Sequence, residues 1–289
     1  MPAAELVLDC RNTHGEGVLW DPRSHHVRWT DIHGKKLWAL DPATGAATSF
    51  DMPERACCFA PRERGGFLVG FAERFALHDL ESGARQDLAR HEPAPAGTRL
   101  NDGRTDRAGR YVAGGIDEVN LQPVSAVWQV DVDLSIRLLF GGVACANAIC
   151  FSPDGRTMYF ADSPRRTLEA FAYDPDTGAI GERRTVATIE GPGVPDGACT
   201  DAEGCIWVAI WAGHRVERWS PRGRLVQKVE VPVLKPTCCA LGGHRLDVLY
   251  ITTSRLDSSA EQLRREPTSG SLYAFQAGVC GLADMLFAG

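Results

Sequence analysis

The chain contains no apolar run long enough to cross a membrane. Its first residues, Met1-Pro2-Ala3-Ala4-Glu5, lack the basic and apolar regions of an export signal, so a cytoplasmic protein is expected. Basic residues do not gather beyond the short Arg62 to Arg64 cluster, and the net charge is −6. That balance gives no electrostatic reason to expect nucleic acid. None of the ten cysteines forms Cys-x-x-Cys, and no paired zinc-type spacing appears. Several, such as Cys150 in Ala148-Ile149-Cys150-Phe151, lie in apolar stretches and read as buried reduced thiols. There is no Gly-x-Ser-x-Gly elbow and no Gly-rich phosphate loop, which removes the commonest serine-hydrolase and nucleotide-binding signatures. No low-complexity linker divides the 289 residues, and only Ser259 to Arg265 reads as helix.

What is present is a strand–turn pattern that returns about six times. Its clearest copy has Trp29-Thr30-Asp31, Gly34, then Leu37-Trp38-Ala39-Leu40 and the turn Asp41-Pro42-Ala43-Thr44-Gly45. Further copies include Phe67 to Gly70 with Phe75 to Asp79, Tyr111 to Ala113 with Val127 to Asp131, and Met158 to Asp162 with Phe171 to Asp174. The last two are Ile206 to Ala209 with Val216 to Trp219, and Val248 to Thr253 with Leu272 to Phe275. One such unit cannot bury its own apolar face, whereas a ring of units can. A period of roughly 45 residues is that of propeller blades. The pattern predicts an all-β, six-bladed propeller in which residues 1–289 form a single domain. Hydrophobic content of 44% and charged content of 24% suit a soluble globular chain.

Four segments stand apart from the scaffold. In His14-Gly15-Glu16-Gly17, flanking glycines would let Glu16 approach a ligand; otherwise it is a solvated turn glutamate. In Arg99-Leu100-Asn101-Asp102-Gly103, Arg99 and Asn101 share a face if extended and suit an oxygen-rich ligand. Asp102 there is equally an Asx-turn residue. Asn147, in Ala146-Asn147-Ala148-Ile149, needs a partner if buried. Pro195-Asp196-Gly197 alone is an ordinary turn. Together, Glu16, Asn147 and Asp196 lie just ahead of predicted strands in different repeats. Two carboxylates and an amide are oxygen donors suited to a hard divalent cation. His25-His26, His33 and His78 form no such set.

These motifs, in this order and over nearly the whole chain, resemble the senescence-marker-protein/gluconolactonase/regucalcin family. They are Gly15-Glu16-Gly17-x-x-Trp20, Arg99-x-Asn101-Asp102-Gly103, Asn147 with Ser152-Pro153-Asp154-Gly155, Pro195-Asp196-Gly197, and Thr252-Thr253-Ser254-Arg255 with Gly270-Ser271-Leu272-Tyr273. The resemblance implies a six-bladed propeller with one divalent metal (Ca, Zn, Mn or Fe(II)) in its channel, held by Glu16, Asn147 and Asp196. It implies that Arg99 and Asn101 hold substrate hydroxyls or the lactone oxygen. An acidic residue in the following strand would also touch substrate; Asp117 and Glu118 are the candidates, with Glu118 favoured. Val119 to Pro123 departs from the small-residue loop expected there. The implied activity is metal-dependent opening of a sugar-acid lactone, an aldono-1,4- or 1,5-lactone of pentono- or hexono- type, with Asp196 as ligand and proton acceptor. A non-catalytic calcium- or sugar-binding propeller, or a hydrolase of another ester or organophosphate, remains the alternative. The expected partner is a small sugar lactone, with neither nucleic acid nor membrane.

Overall fold

The computed structural model describes residues 2–289. It is nearly all β: six small antiparallel sheets of four strands each, arranged as a six-bladed β-propeller. The N-terminal strand β1 (Glu5–Leu8) is followed by the first blade: β2 (Gly15–Asp21), β3 (His26–Asp31), β4 (Lys36–Leu40) and β5 (Ala47–Asp51). The second comprises β6 (Ala56–Pro61), β7 (Phe67–Phe71), β8 (Phe75–His78) and β9 (Arg85–Asp87). The third holds β10 (Thr98–Thr105), β11 (Tyr111–Asp117), β12 (Ser125–Val130) and β13 (Ile136–Val143). The fourth holds β14 (Ala146–Phe151), β15 (Thr157–Asp162), β16 (Thr167–Tyr173) and β17 (Ile180–Thr188). The fifth holds β18 (Val194–Thr200), β19 (Ile206–Trp211), β20 (Arg215–Trp219) and β21 (Leu225–Glu230). The sixth joins β22 (Pro236–Gly242), β23 (Val248–Thr253) and β24 (Leu272–Gln276) to β1, which pairs antiparallel with β24.

Contacts group the chain into two compact units. One holds residues 1–55 and 189–284, hence the first, fifth and sixth blades. The other holds residues 56–188 and 285–289, hence the second, third and fourth. In the second unit the last residues are stitched in, with Phe287 N–H donating to Pro61 O and Ala288 N–H donating to Gly109 O. The expected short helix is α1 (Ala260–Arg265), capped by Ser259, whose side chain accepts from Gln262 N.

The repeats legible in the sequence are the middle two strands of each blade. In the second, third and fifth blades they are buried along nearly their whole length and mostly read as apolar runs, whereas β3 and β4 of the first keep His26, Arg28, Lys36 and Trp38 half-buried. The outer strands β5 and β9 are largely polar and exposed, and so carry little apolar signal, while β13 is apolar in sequence yet largely exposed. Each core lies between adjacent sheets of one unit. Val18, Trp20, Val27 and Trp29 pack with Cys238, Ala240 and Tyr250, while Trp207 and Val216 pack with Cys239, Leu241 and Ile251. Cys238 and Cys239 thus face opposite cores, as strand alternation requires. Each fully buried large side chain contributes about 1.5–3 kcal/mol. All ten cysteines are thiols; eight are buried, Cys10 is half-buried and Cys280 is exposed.

Candidate functional site

Glu16, Asn147 and Asp196 do not precede their strands, as expected; like Asn101, they lie within the first strand of their blades. Glu16 is in β2, Asn101 in β10, Asn147 in β14 and Asp196 in β18. Each sits where the ladder with the next strand slips: between Glu16 and Leu19, Leu100 and Gly103, Asn147 and Cys150, and Pro195 and Ala198. A bulge inserts an extra residue, bends the strand and re-aims a side chain. Gly17 takes φ 58° to make this bend, and Ala148, following Asn147, takes φ 54° despite its Cβ. The turn signals were therefore bulge signals.

A second regularity separates these residues from structural carboxylates. Five positions beyond Glu16, Asn101, Asn147 and Asp196 come Asp21, Asp106, Ser152 and Asp201. Those later residues brace the scaffold. Asp106 accepts from Arg110 Nε at 2.7 Å and from Tyr173 Oη at 2.7 Å. Asp201 accepts from Trp207 Nε1 at 2.9 Å and from Arg218 Nε at 2.8 Å. Burial works to raise the Asp21 pKa, but Arg23 and Arg28 outweigh it and hold the carboxyl below its ordinary range.

In the unit of the second to fourth blades, five side chains form one hydrogen-bonded run. Arg99 Nε donates to Glu118 Oε1 at 2.7 Å, and its NH1 donates to Asn101 Oδ1 at 2.7 Å. Asn101 Nδ2 donates to Asn147 Oδ1 at 3.1 Å and to Ala146 O at 2.9 Å. Asn147 Nδ2 donates to Ser163 Oγ at 2.8 Å. Arg99, Asn101, Asn147 and Ser163 are all buried. The run orients both amides: Asn147 turns its NH₂ to Ser163 and leaves its carbonyl oxygen, which has two lone pairs, toward Asn101. Ser163 was missed in the sequence. The signal available was its place directly after Asp162 at the end of β15, opening a 3-10 turn (Ser163–Arg165).

The two acidic candidates separate cleanly. Asp117 receives the N–H groups of Val119 and Gln122, both at 3.0 Å, so it organises the loop. These N–H donors, Gln122 foremost, hold its carboxyl below the usual range. Glu118 instead turns to Arg99. Asp102 is not a local turn residue: its Oδ1 accepts from Gly103 N, but its Oδ2 reaches Ile149 N at 2.9 Å and ties β10 to β14. Burial pushes its pKa up.

In the other unit, Glu16 and Asp196 are both buried. Glu16 Oε2 accepts from Gly17 N at 3.0 Å. Their strands β2 and β18 both pack on β22. Thr237 of β22 donates to Gly15 O at 2.6 Å, and a Cβ on Gly197 would meet Cys238 Sγ at 2.5 Å, so only glycine fits beside Asp196. His14, two residues before Glu16, is buried, and its Nδ1 lies 2.9 Å from Ser254 Oγ. It meets His33 and Trp211 edge-on, with ring centroids 5.7 and 5.6 Å apart. His33 thus belongs to a ring cluster rather than to plain scaffold. Among the described residues, no three His, Cys, Asp or Glu side chains gather into a metal-type cluster. The candidate set is instead two carboxylates and an amide, all oxygen donors of the kind hard cations take.

Residues 14–255 match the family described as the SMP-30/Gluconolactonase/LRE-like region. The chain is 39% identical to an L-arabinolactonase of Azospirillum brasilense, covering 99% of this chain and 96% of that one. It is 36% identical to a 6-deoxy-6-sulfogluconolactonase of Pseudomonas putida, covering 95% of each. Among solved structures, a calcium-binding protein, regucalcin, from Agrobacterium tumefaciens superposes with a TM-score of 0.93 at 28% identity, covering 99% of this chain and 97% of that one.

Proposed function

From the chain's membership in the SMP-30/gluconolactonase/LRE-like family, which its match over residues 14–255 establishes, we propose that it is a hydrolase that opens the ring ester of a sugar acid. Glu16, Asn147 and Asp196 would hold one divalent cation, and their chemistry fits that role. Two carboxylates neutralise the charge, and the Asn147 amide has its NH₂ committed to Ser163, so its oxygen is the atom offered. When bound, such a cation supplies Lewis acidity to the lactone carbonyl and makes water more acidic.

The chain's own residues supply the rest. Asp196 accepts the proton of the attacking water and returns it to the ring oxygen as the bond from that oxygen to the carbonyl carbon breaks. Arg99 and Asn101 hold the polyol and donate toward the carbonyl oxygen as its charge grows. Glu118 fixes Arg99 and accepts from a substrate hydroxyl. No serine or cysteine nucleophile is needed. The observation that carries the proposal is the run Glu118–Arg99–Asn101–Asn147, which links every proposed polyol contact to a proposed ligand.

The test is acid release from a panel of pentono- and hexono-lactones, with and without divalent cations, corrected for spontaneous opening. Chelation abolishes turnover and re-addition restores it. If the metal-loaded protein never exceeds the spontaneous rate, the lactonase assignment fails. A calcium- or sugar-binding protein, or a hydrolase of another ester or organophosphate, then takes its place.

A further inference from the structure

The last residue of the second strand does the same work in three blades. Asp31, ending β3, accepts from the N–H groups of Thr13, His14 and Gly34, each at 2.9 Å. Asp117, ending β11, accepts from Val119 and Gln122. Asp162, ending β15, accepts from Ala144 at 3.2 Å and Cys145 at 2.9 Å. In each, a short carboxylate braces the loop above its blade. Three blades depart: β7 ends in Phe71, β23 in Thr253 and β19, of the fifth blade, in Trp211. The loop of the fifth blade is braced instead by Arg215, whose guanidinium donates to Pro192 O at 2.8 Å, Gly213 O at 3.1 Å and Glu190 O at 2.9 Å. Trp211 is thus relieved of the structural duty that Asp31, Asp117 and Asp162 carry in their blades.

Trp211 also meets residues that lie close in sequence to two of the proposed ligands. It pairs with Val194, two residues before Asp196 on the same strand. Its ring meets His14, two residues before Glu16. In the third blade that same offset separates Arg99 from Asn101. Trp211 is only partly buried, and its indole N–H has no partner among the described residues. The N–H groups of Trp29, Trp128, Trp207 and Trp219 are hydrogen-bonded, and that of Trp38 is buried without a partner, whereas Trp211 is half-exposed. One face of the ring is covered by Lys235, with Nζ 5.2 Å from its centroid, and Lys235 is itself tied to Leu256 O and Ser258 Oγ. His14 is tied to Ser254. The indole is therefore held rigidly, with an apolar surface and a donor left over.

We propose that Trp211, steadied by His14 and Lys235, is a substrate-contact residue that lies against the C–H face of the sugar-acid ring and donates from Nε1 to one of its oxygens. This rests on the lactonase assignment above. An amphipathic aromatic suits a sugar, whose ring is apolar on its faces and polar at its edge.

Trp211→Ala and Trp211→Phe separate contact from scaffold. Manganese affinity, measured by titration calorimetry, is unchanged in both, which also shows that both are folded. With Trp211→Ala, KM for gluconolactone rises about 5- to 30-fold while kcat stays within about twofold, the mark of lost uniform binding. Trp211→Phe, which keeps a ring face but no donor, falls between. An unchanged KM in Trp211→Ala, or loss of manganese binding in both variants, overturns the proposal. If the unsubstituted protein opens no lactone, the lactonase assignment fails, and the contact is read separately from tryptophan fluorescence on adding gluconate to manganese-loaded protein. A change that disappears in Trp211→Phe upholds the contact. No change in the unsubstituted protein, or one that persists in Trp211→Phe, sinks it.

Discussion

Asn101 Nδ2 donates to Asn147 Oδ1 at 3.1 Å, joining β10 to β14 across 46 positions of sequence. The bond makes Asn101 a neighbour of the proposed metal set without making it a member. Its own Oδ1 is already engaged by Arg99 NH1. Asn101→Ala should therefore leave metal content intact while lowering kcat/KM. Loss of one such bond in the transition state is about 1–3 kcal/mol, roughly 5- to 150-fold. Metal analysis alongside steady-state kinetics on a lactone checks this, and metal loss in the variant would reassign Asn101 as a ligand.

Glu16 and Asp196 supply the negative charge of the proposed site. Removing either leaves the cation under-neutralised, so Glu16→Ala and Asp196→Ala should lose bound metal and activity together. Asn147→Ala should weaken binding less, since water can replace a neutral oxygen. Calorimetric titration with calcium and manganese ranks the three. Unaltered metal content in Asp196→Ala would show the ligands to be misassigned.

Asp117 and Glu118 are adjacent but have different partners. Asp117→Asn weakens the acceptors for three loop N–H groups, those of Val119, Asn120 and Gln122. It should lower Tm and change kinetics little if the loop still closes. Glu118→Gln keeps the shape but removes the charge beside Arg99, and should act mainly on kcat/KM, by about 10-fold or more. The reverse pattern would exchange their roles.

The thiols should react in two classes. Cys280 is exposed, whereas burial raises the Cys10 pKa to about 12 and pushes the Cys58 thiol higher still. Thiolate is the reactive form, so raised pKa and burial both slow attack. A disulfide-exchange reagent at pH 8 should label one cysteine quickly in the folded protein and all ten only after unfolding. Peptide mapping should place the fast label on Cys280.

His78 and His91 are buried among rings, His91 lying 4.6 Å from the Trp128 ring, and burial lowers both pKa values. In the unfolded chain each titrates near about 6.5. As pH falls below that value the unfolded state binds the protons first, so stability is lost down to the lower folded-state values. Tm should drop between pH 7 and 5. His91→Phe should flatten that drop, and an equally steep drop in the variant would acquit His91.

The sequence alone carried the blade repeat, because strands that are mostly buried must be largely apolar and their turns need Asp, Pro and Gly. It also singled out Glu16, Asn147 and Asp196, the ligands proposed here, as polar residues just ahead of predicted strands. It misplaced them ahead of strands, because a bulge and a turn draw on the same glycines and short polar side chains. What tertiary structure alone decided was partnership. Asp102 bonding Ile149, Glu118 rather than Asp117 meeting Arg99, Ser163 orienting Asn147, and the indole of Trp211 standing where three other blades carry aspartate all depend on bonds and contacts between strands. Those are set by the register of sheets tens of residues apart, which local pattern does not encode.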